Sequence, residues 1–452
     1  MRASLITLLS LAWPVILARA TQSVIGFCDA LMVAPLGDTA LAAATTGAMN
    51  TFTVGMLPFG ICLILQSFAA QLKGRGDLVA ARRYAWYGLI LALVAGLLAV
   101  IATPFIDEGL GLFEFEPAVA SLQAQYLALR LTGMFAMVGT EALGNWFGGL
   151  GNTRLQMIAG GIAMVGNVFL NWVLIYGNLG APEMGVAGAA LASSIASWLG
   201  FFFMAWQFHR SRDPRARLRL RLSEFLRMLR FGLPNGFNWF LEFAAFMWFI
   251  NSVMTGIGTT ALAALNVVIQ INSVAFMPAF GLSSAGAILV GQAVGAGKRD
   301  EVPMLVKLTA VVAASWMVAM AVAYVAAPRA IMSLFVAKDD PGAAALLATG
   351  ATMLAISAAW QMFDGLAMAV SESLRATGDT AWCLRARIIL AWFVFLPAAW
   401  FTVRRLDGGV TAAMACLVGY LMLLAATMIW RFRSGAWRKI ELVEELPPEA
   451  LA

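Results

Sequence analysis

Residues 37–43 read Gly-Asp-Thr-Ala-Leu-Ala-Ala, and residues 258–264 read Gly-Thr-Thr-Ala-Leu-Ala-Ala. A second pair lies at the same separation, since Gln-Leu-Lys-Gly-Arg-Gly at 71–76 corresponds to Gln-Ala-Val-Gly-Ala-Gly at 292–297. Further corresponding pairs are Trp13-Pro14 with Leu233-Pro234, 58–60 with 278–281, 151–153 with 378–380, and 185–186 with 409–410. The chain is therefore an internal duplication with a period of about 220 residues.

The composition indicates a membrane protein. The 452 residues are 61% hydrophobic and 12% charged, with a mean hydropathy of +0.83. A soluble domain has a charged fraction of about 25%. Apolar stretches recur that reach the roughly 20 residues needed to cross a bilayer as a helix. An outer-membrane barrel is excluded, because its strands would be alternating segments of about 10 residues. We therefore predict an all-α polytopic fold.

The apolar stretches predict twelve transmembrane helices, six in each copy of the repeat. Because six is an even number, both copies enter the membrane from the same side, and a pseudo-twofold axis along the membrane normal is expected. We predict an N-terminal six-helix lobe at 1–210, a basic cytoplasmic linker at 211–229, a C-terminal six-helix lobe at 230–435 and a cytoplasmic tail at 436–452. The predicted spans are 5–33, 40–72, 84–106, 119–148, 155–177, 185–209, 230–254, 259–294, 304–335, 343–374, 382–403 and 409–431.

The basic residues predict the orientation. Most of the 30 lysines and arginines lie in loops and span ends on the side of the amino terminus, and the 107–117 loop on the other side is acidic. The positive-inside rule then places both termini in the cytoplasm, in a cell inner (plasma) membrane. The arginine-rich 210–230 segment is expected to lie on anionic lipid headgroups, and a regulatory or nucleic-acid-binding arm is the alternative.

Three acids within predicted spans are the candidates for cation chemistry: Asp29, Glu242 and Asp364. A carboxylate at membrane depth is costly unless it is paired, solvated or protonated. Such a group can hold a proton, ligate Na⁺ or attract an organic cation, and the alternative is a purely structural acid. No phosphate-binding Gly-x4-Gly-Lys-Ser/Thr motif is present, so active export would have to use an ion gradient.

Neutral amides accompany these acids. Asn167 and Asn171 are four residues apart on the fifth span and share a helix face, and Asn266 and Gln270 do the same on the eighth span, near Asn272. Amide oxygens are suitable hard ligands for Na⁺ beside a carboxylate. The alternative is that they form hydrogen bonds between helices.

The remaining polar residues in the spans are expected to be structural. Glu141 and Glu372 lie near cytoplasmic span ends, where water or basic loops suffice to solvate them. Arg19 and Arg130 lie at membrane depth and are expected to form structural pairs. His209, the only histidine, is expected at the surface. The four cysteines lie in spans without metal-binding or disulfide spacing.

Together these residues resemble the multidrug and toxic compound extrusion (MATE) family, in particular its NorM branch. The resemblance covers essentially the whole chain. Its marks are Trp13-Pro14, Asp29 with Met32 and Gly37, Asn167-x3-Asn171 before Tyr176-Gly177, Gly185-x2-Gly188, Glu242, Pro278, Gln292-x2-Gly295, and Asp364 before Leu374-Arg375-Ala376-Thr377-Gly378-Asp379.

The resemblance implies an antiporter that exports hydrophobic organic cations, driven by Na⁺ or H⁺, through rocker-switch alternating access. It implies a cation site at Glu242 and Asp364, where Na⁺ can bind, and an acidic site at Asp29 with Asn167 and Asn171. Some relatives have an aspartate at the position of Asn171, so Asp29 is the only obvious acid of its site here.

Three rival functions are less well supported. A lipid-linked oligosaccharide flippase of the same superfamily would need more arginine at membrane depth, and a major facilitator transporter would carry a basic motif that 73–83 lacks. A membrane enzyme would need a catalytic cluster that a single histidine does not supply, so no enzyme activity is expected. We further expect no cofactor beyond the coupling ion, no nucleic acid, and a monomer embedded in the lipid bilayer with small organic cations as its partners.

Overall fold

The computed structural model describes residues 2–111, 113, 115–211, 219–335 and 342–444. Glu114, Lys338, part of the predicted linker (212–218) and the end of the predicted tail (445–452) lie outside the described residues. The described residues form helices and turns without a strand, in agreement with the predicted all-α class.

The first half of the chain contains eight α-helices in the described residues. They are α1 (Arg2–Val33), α2 (Asp38–Arg75), α3 (Leu78–Ala102), α4 (Ile106–Leu110), α5 (Pro117–Leu131), α6 (Met134–Gly149), α7 (Arg154–Tyr176) and α8 (Gly185–Arg210).

The second half also contains eight in the described residues. They are α9 (Leu222–Trp248), α10 (Thr259–Gly295), α11 (Val302–Ala326), α12 (Pro328–Ser333), α13 (Ala343–Thr377), α14 (Thr380–Ile388), α15 (Leu396–Arg405) and α16 (Gly409–Arg433). A π-helical turn at Phe249–Val253 follows α9, and another at Ile389–Phe395 joins α14 to α15.

Ten helical segments of the described chain are long and apolar enough to cross a membrane. The other two predicted spans have visible reasons to depart from that pattern. The span predicted at 119–148 is divided into α5 and α6 at Thr132 and Gly133, and the span predicted at 230–254 runs from α9 into the π-helical turn at Phe249–Val253. A Cβ at Gly133 would lie 3.1 Å from the Ser194 hydroxyl, so the break coincides with a close contact between helices.

The repeat is visible in the backbone, because corresponding glycines share a conformation that other residues rarely adopt. Gly378 ends α13 with a φ of 96°, and its counterpart Gly151 has a φ of 80° after α6. The other pairs with positive φ are Gly37 (104°) with Gly258 (135°), Gly76 (82°) with Gly297 (76°), and Gly185 (54°) with Gly409 (60°). Both copies therefore end and begin helices by the same turn chemistry.

The chain divides into two compact units. The carboxy-terminal unit consists of residues 1–16 and 237–452, and the amino-terminal unit consists of residues 17–236. Helices α1 and α9, which correspond in the repeat, are each divided at their middle. The first half of each helix therefore belongs to the unit formed mainly by the other copy. The lobes predicted at 1–210 and 230–435 are defined by the repeat and stay a prediction.

The carboxy-terminal unit is built around α13, which packs against α10, α11 and α16. The first half of α1 is part of its core: Leu8, Leu11 and Ala12 are buried with Leu282, Ala285 and Ile288. In lipid, such contacts arise from close packing more than from hydrophobic burial.

In the amino-terminal unit α2 packs against α6, α5 and α3, and α8 packs against α7, α5 and α6. Glycines bring α2 and α9 into backbone contact, since a Cβ at Gly60 would lie 2.6 Å from the Cα of Gly236. The Asn235 amide donates a hydrogen bond to the Gly60 carbonyl at 2.6 Å and fixes this crossing.

Candidate functional site

In the amino-terminal unit, Asp29 lies in a polar cluster with both predicted asparagines. The Asn171 amide donates to Asp29 Oδ1 at 2.5 Å, and the Ser193 hydroxyl donates to Asp29 Oδ2 at 3.0 Å. Asn167 donates to Ser193 Oγ at 2.9 Å, and Asn171 also donates to Asn167 Oδ1 at 3.3 Å. The structure therefore brings Asp29, Asn167 and Asn171 together as the sequence predicted.

Helix periodicity places these side chains. Asn167 and Asn171 are one turn apart on α7, and Ser193 lies on α8, which packs against α7. Both asparagines are fully buried. The Asn171 Oδ1 atom has no hydrogen-bond partner in the described residues. A buried amide oxygen without a donor, beside a carboxylate and a hydroxyl, is a set of hard oxygen ligands suited to a small cation.

Arg130 on α5 lies near this cluster. Its Nη1 is 3.4 Å from Ser197 Oγ, and its charge is close enough to act on Asp29. It forms no ion pair with the described residues at contact distance. Arg130 therefore contacts a serine hydroxyl where a structural pair is expected. The Asp29 carboxylate accepts its hydrogen bonds from Asn171 and Ser193.

A second buried charge in the amino-terminal unit is paired with a carboxylate. Arg19 Nη2 donates to Glu141 Oε1 at 2.6 Å, and Asn145 donates to the same carboxylate oxygen at 3.0 Å. The expected pairing of Arg19 is confirmed. Glu141 was expected to be solvated by water or basic loops, and instead its charge is balanced within the helix bundle. This pair is structural by geometry.

In the carboxy-terminal unit, Glu242 on α9 forms an ion pair with Arg387 on α14, through Oε1 and Nη1. The Glu242 side chain is 39% exposed and that of Arg387 is 13% exposed. The π-helical turn that follows α14 brings Trp392 to α9, where its indole N–H donates to the Leu241 carbonyl at 3.2 Å. The backbone next to Glu242 is therefore anchored to the helical turn that follows Arg387, while the Glu242 carboxylate itself is held by the ion pair.

Asp364 on α13 completes an acidic cluster with this pair. The charges of Glu242 and Arg387 are close enough to act on its carboxyl group. Asp364 itself forms no hydrogen bond or ion pair at contact distance with the described residues. The buried Tyr420 on α16 lies near all three charges, and its hydroxyl has no hydrogen-bond partner in the described chain. Glu242, Asp364, Arg387 and Tyr420 are called the carboxy-terminal cluster below.

The amides predicted on the eighth span divide into two groups. Asn266 and Gln270 are exposed on α10, and the structure shows no side-chain contact from either to Glu242 or Asp364 within the described residues. Asn272 is held between helices, where it donates to Ser357 Oγ at 3.3 Å and accepts from Gln361. Asn272 thus links α10 to α13, as interhelical hydrogen bonding predicts.

Three residues of these clusters were not predicted as site residues. Arg387 lies five residues inside the span predicted at 382–403, where a basic residue is also typical of a cytoplasmic span end. Ser193 and Tyr420 carry no local signal, since serine and tyrosine are common in membrane helices. The described residues contain no group of three or more His, Cys, Asp or Glu that could hold a metal ion.

Comparison of the chain with known proteins identifies its family. The family model described as MatE matches the chain twice, over residues 14–173 and 234–401. The multidrug resistance protein NorM of Burkholderia vietnamiensis is 27% identical over 433 residues, covering 93% of this chain and 92% of that protein. The probable multidrug resistance protein NorM of Deinococcus radiodurans is 30% identical over 447 residues, covering 96% of this chain and 97% of that protein.

A solved structure has the same fold. It is a MOP superfamily transporter from Pyrococcus furiosus, whose structure resembles this chain with a TM-score of 0.87 and 22% identity, over 96% of this chain and 97% of that one. The two family-model matches coincide with the two copies of the internal repeat.

Proposed function

Because the chain belongs to the MatE family of membrane transporters, we propose that it exports hydrophobic organic cations in exchange for Na⁺ or H⁺. The observation that carries the proposal is the carboxylates inside the helices of each unit, Asp29 in one and Glu242 with Asp364 in the other. Multidrug efflux is the activity named for the relatives, and this chain is proposed to share it.

We propose that the coupling cation and the substrate cation are exchanged because they compete for the same carboxylates. A coupling cation and a substrate cation that need the same carboxylate cannot both be bound, so binding of one favours release of the other. Neither event requires a chemical step. We propose that this exchange accompanies alternating, rocker-switch access to the two sides of the membrane.

The coupling ion has two candidate sites. The Asp29 cluster offers carboxylate, amide and hydroxyl oxygens within one unit, which support Na⁺ binding. The carboxy-terminal cluster offers Asp364 without a hydrogen-bonding partner in the described residues, which supports binding of H⁺ or Na⁺. Asn266 and Gln270 are proposed only as contacts for substrate, because they are exposed.

The location and partners follow the same proposal. We propose that the protein is a monomer in the bacterial inner membrane. Both termini are proposed to face the cytoplasm, because most basic residues lie on that side. A lipid-linked oligosaccharide substrate is less well supported, since Arg19 and Arg387 are both neutralised by a carboxylate. They are therefore not free to bind a pyrophosphate.

The test is transport in proteoliposomes that contain the purified protein. A fluorescent organic cation is supplied, and a Na⁺ gradient and a pH gradient are imposed separately. We expect substrate movement against its own gradient under one of them, and that gradient identifies the coupling ion. If neither gradient drives movement while the protein is folded and inserted, cation antiport is wrong, and the lipid-linked substrate is tested next.

A further inference from the structure

The carboxy-terminal cluster contains a cation of its own. Arg387 is joined to Glu242, and Asp364 lies within reach of both charges. Two carboxylates and one guanidinium leave the cluster with a formal charge of minus one. The side chains nearest to it are otherwise neutral, namely Tyr420 and Cys383. The cluster therefore needs one additional positive charge to reach neutrality.

We propose that Arg387 makes the cluster selective for singly charged cations, so that it holds one monovalent ion or one organic monocation at a time. This inference rests on the proposed function. A monocation neutralises the cluster, whereas a dication leaves one positive charge uncompensated at membrane depth, where an unpaired charge is unfavourable. Arg387 is a specificity-determining residue because it neutralises the charge of Glu242 and leaves the Asp364 carboxylate available to a cation.

The geometry supports this role over a purely structural one. The ion pair involves Nη1 of Arg387 and one oxygen of Glu242, and no second side-chain donor to the Glu242 carboxylate is present in the described residues. A structural arginine such as Arg19 shares its carboxylate with a second donor, Asn145. Glu242 is also more than a third exposed, so an incoming cation can reach it.

The test measures equilibrium binding of a monocation, tetraphenylphosphonium, and of a lipophilic dication, dequalinium, to the purified protein in nanodiscs. The wild type should prefer the monocation. Arg387→Gln gives the cluster a charge of minus two and should shift the ratio of the two affinities toward the dication by roughly tenfold or more, as expected for one unit charge at short range. The matched control is Arg385→Gln, two residues earlier, whose exposed side chain forms its one hydrogen bond within the described residues to the Ala381 carbonyl. The affinity ratio of this control variant should stay unchanged.

A charge-restoring variant separates selectivity from stability. Glu242→Gln alone should weaken monocation binding, because the cluster then has no net charge. The double variant Glu242→Gln with Arg387→Gln returns the charge to minus one and should recover monocation binding. If Arg387→Gln alone does not fold, the comparison of monocation binding between Glu242→Gln and the double variant tests the proposal.

The outcomes are distinguishable. An unchanged affinity ratio in folded Arg387→Gln, or no recovery in the double variant, overturns the role of Arg387 while leaving cation export intact. A wild type that binds neither cation overturns the proposed function and this inference with it.

Discussion

At the scale of single residues, Asp364 differs from the other acids inside the helices. Glu141 and Glu242 are each paired with an arginine, and Asp29 accepts hydrogen bonds from Asn171 and Ser193. Asp364 forms no contact of this kind with the described residues. A carboxylate that the protein leaves unpaired at membrane depth is expected to be neutralised by an exchangeable cation.

The first prediction concerns this residue. Asp364→Asn should reduce coupled efflux to background while leaving membrane insertion unchanged, because the amide keeps the shape and removes the charge. The measurement is gradient-driven transport of a fluorescent cation. The control is Asp407→Asn, an exposed residue with a φ of 48°, a conformation that asparagine tolerates as well as aspartate. Full coupled efflux in the Asp364 variant would contradict the site.

Residue spacing predicted part of these clusters. Asn167 and Asn171 could be placed together with Asp29 because amides one helical turn apart must share a face. The sequence could not supply Ser193, because which helix packs against that face is decided by tertiary structure. Arg387 was missed for a different reason: a base near a span end is equally compatible with a headgroup contact and with a buried ion pair.

At the scale of helices, the crossing of α2 and α9 depends on two glycines in backbone contact. The second prediction is that Gly60→Ala destabilises the protein by about 1–3 kcal/mol, because the added methyl group meets the Cα of Gly236 and backbone cannot move aside cheaply. The measurement is the midpoint of thermal unfolding in detergent.

The same substitution elsewhere provides the control. A Cβ at Gly161 on α7 would meet no atom within 4 Å. Gly161→Ala should therefore be neutral or slightly stabilising, since alanine favours helix over glycine by about 1 kcal/mol. Equal effects of the two substitutions would mean that the α2–α9 contact is not tightly packed.

Helix positions were largely predictable, whereas helix interruptions were not. Apolar stretches alone located the spans, because any helix that crosses lipid must satisfy its backbone internally. The division of the fourth span at Gly133 coincides with a contact to Ser194 that the sequence does not specify. The π-helical turn at Ile389–Phe395 is followed by Pro397, which has no backbone N–H to donate, but a proline alone does not specify a π-helical turn.

At the scale of the whole molecule, each compact unit includes the first half of a helix from the other copy of the repeat. The third prediction follows from this exchange. When the chain is divided within 212–218 and the fragments are expressed separately, the 219–452 fragment should be unstable, because it lacks Leu8, Leu11 and Ala12 of its core.

Co-expression of the two fragments should restore a folded protein, detected by co-purification through a tag on one of them and by recovered transport. A 219–452 fragment that is stable and monodisperse alone would show that residues 1–16 contribute little to its unit. The repeat made the two halves of the chain predictable. Which unit the first half of α1 or of α9 belongs to depends on tertiary contacts that the sequence pattern does not specify.

The divided helices also bear on how such a protein could arise. A half-length ancestor with this arrangement could not have completed its own core, because the first half of its first helix would have belonged to a second copy. Two such chains would have formed an interlocked homodimer. Gene duplication and fusion would then have preserved an exchange that already existed, and the two copies could afterwards diverge in the charged residues inside their helices.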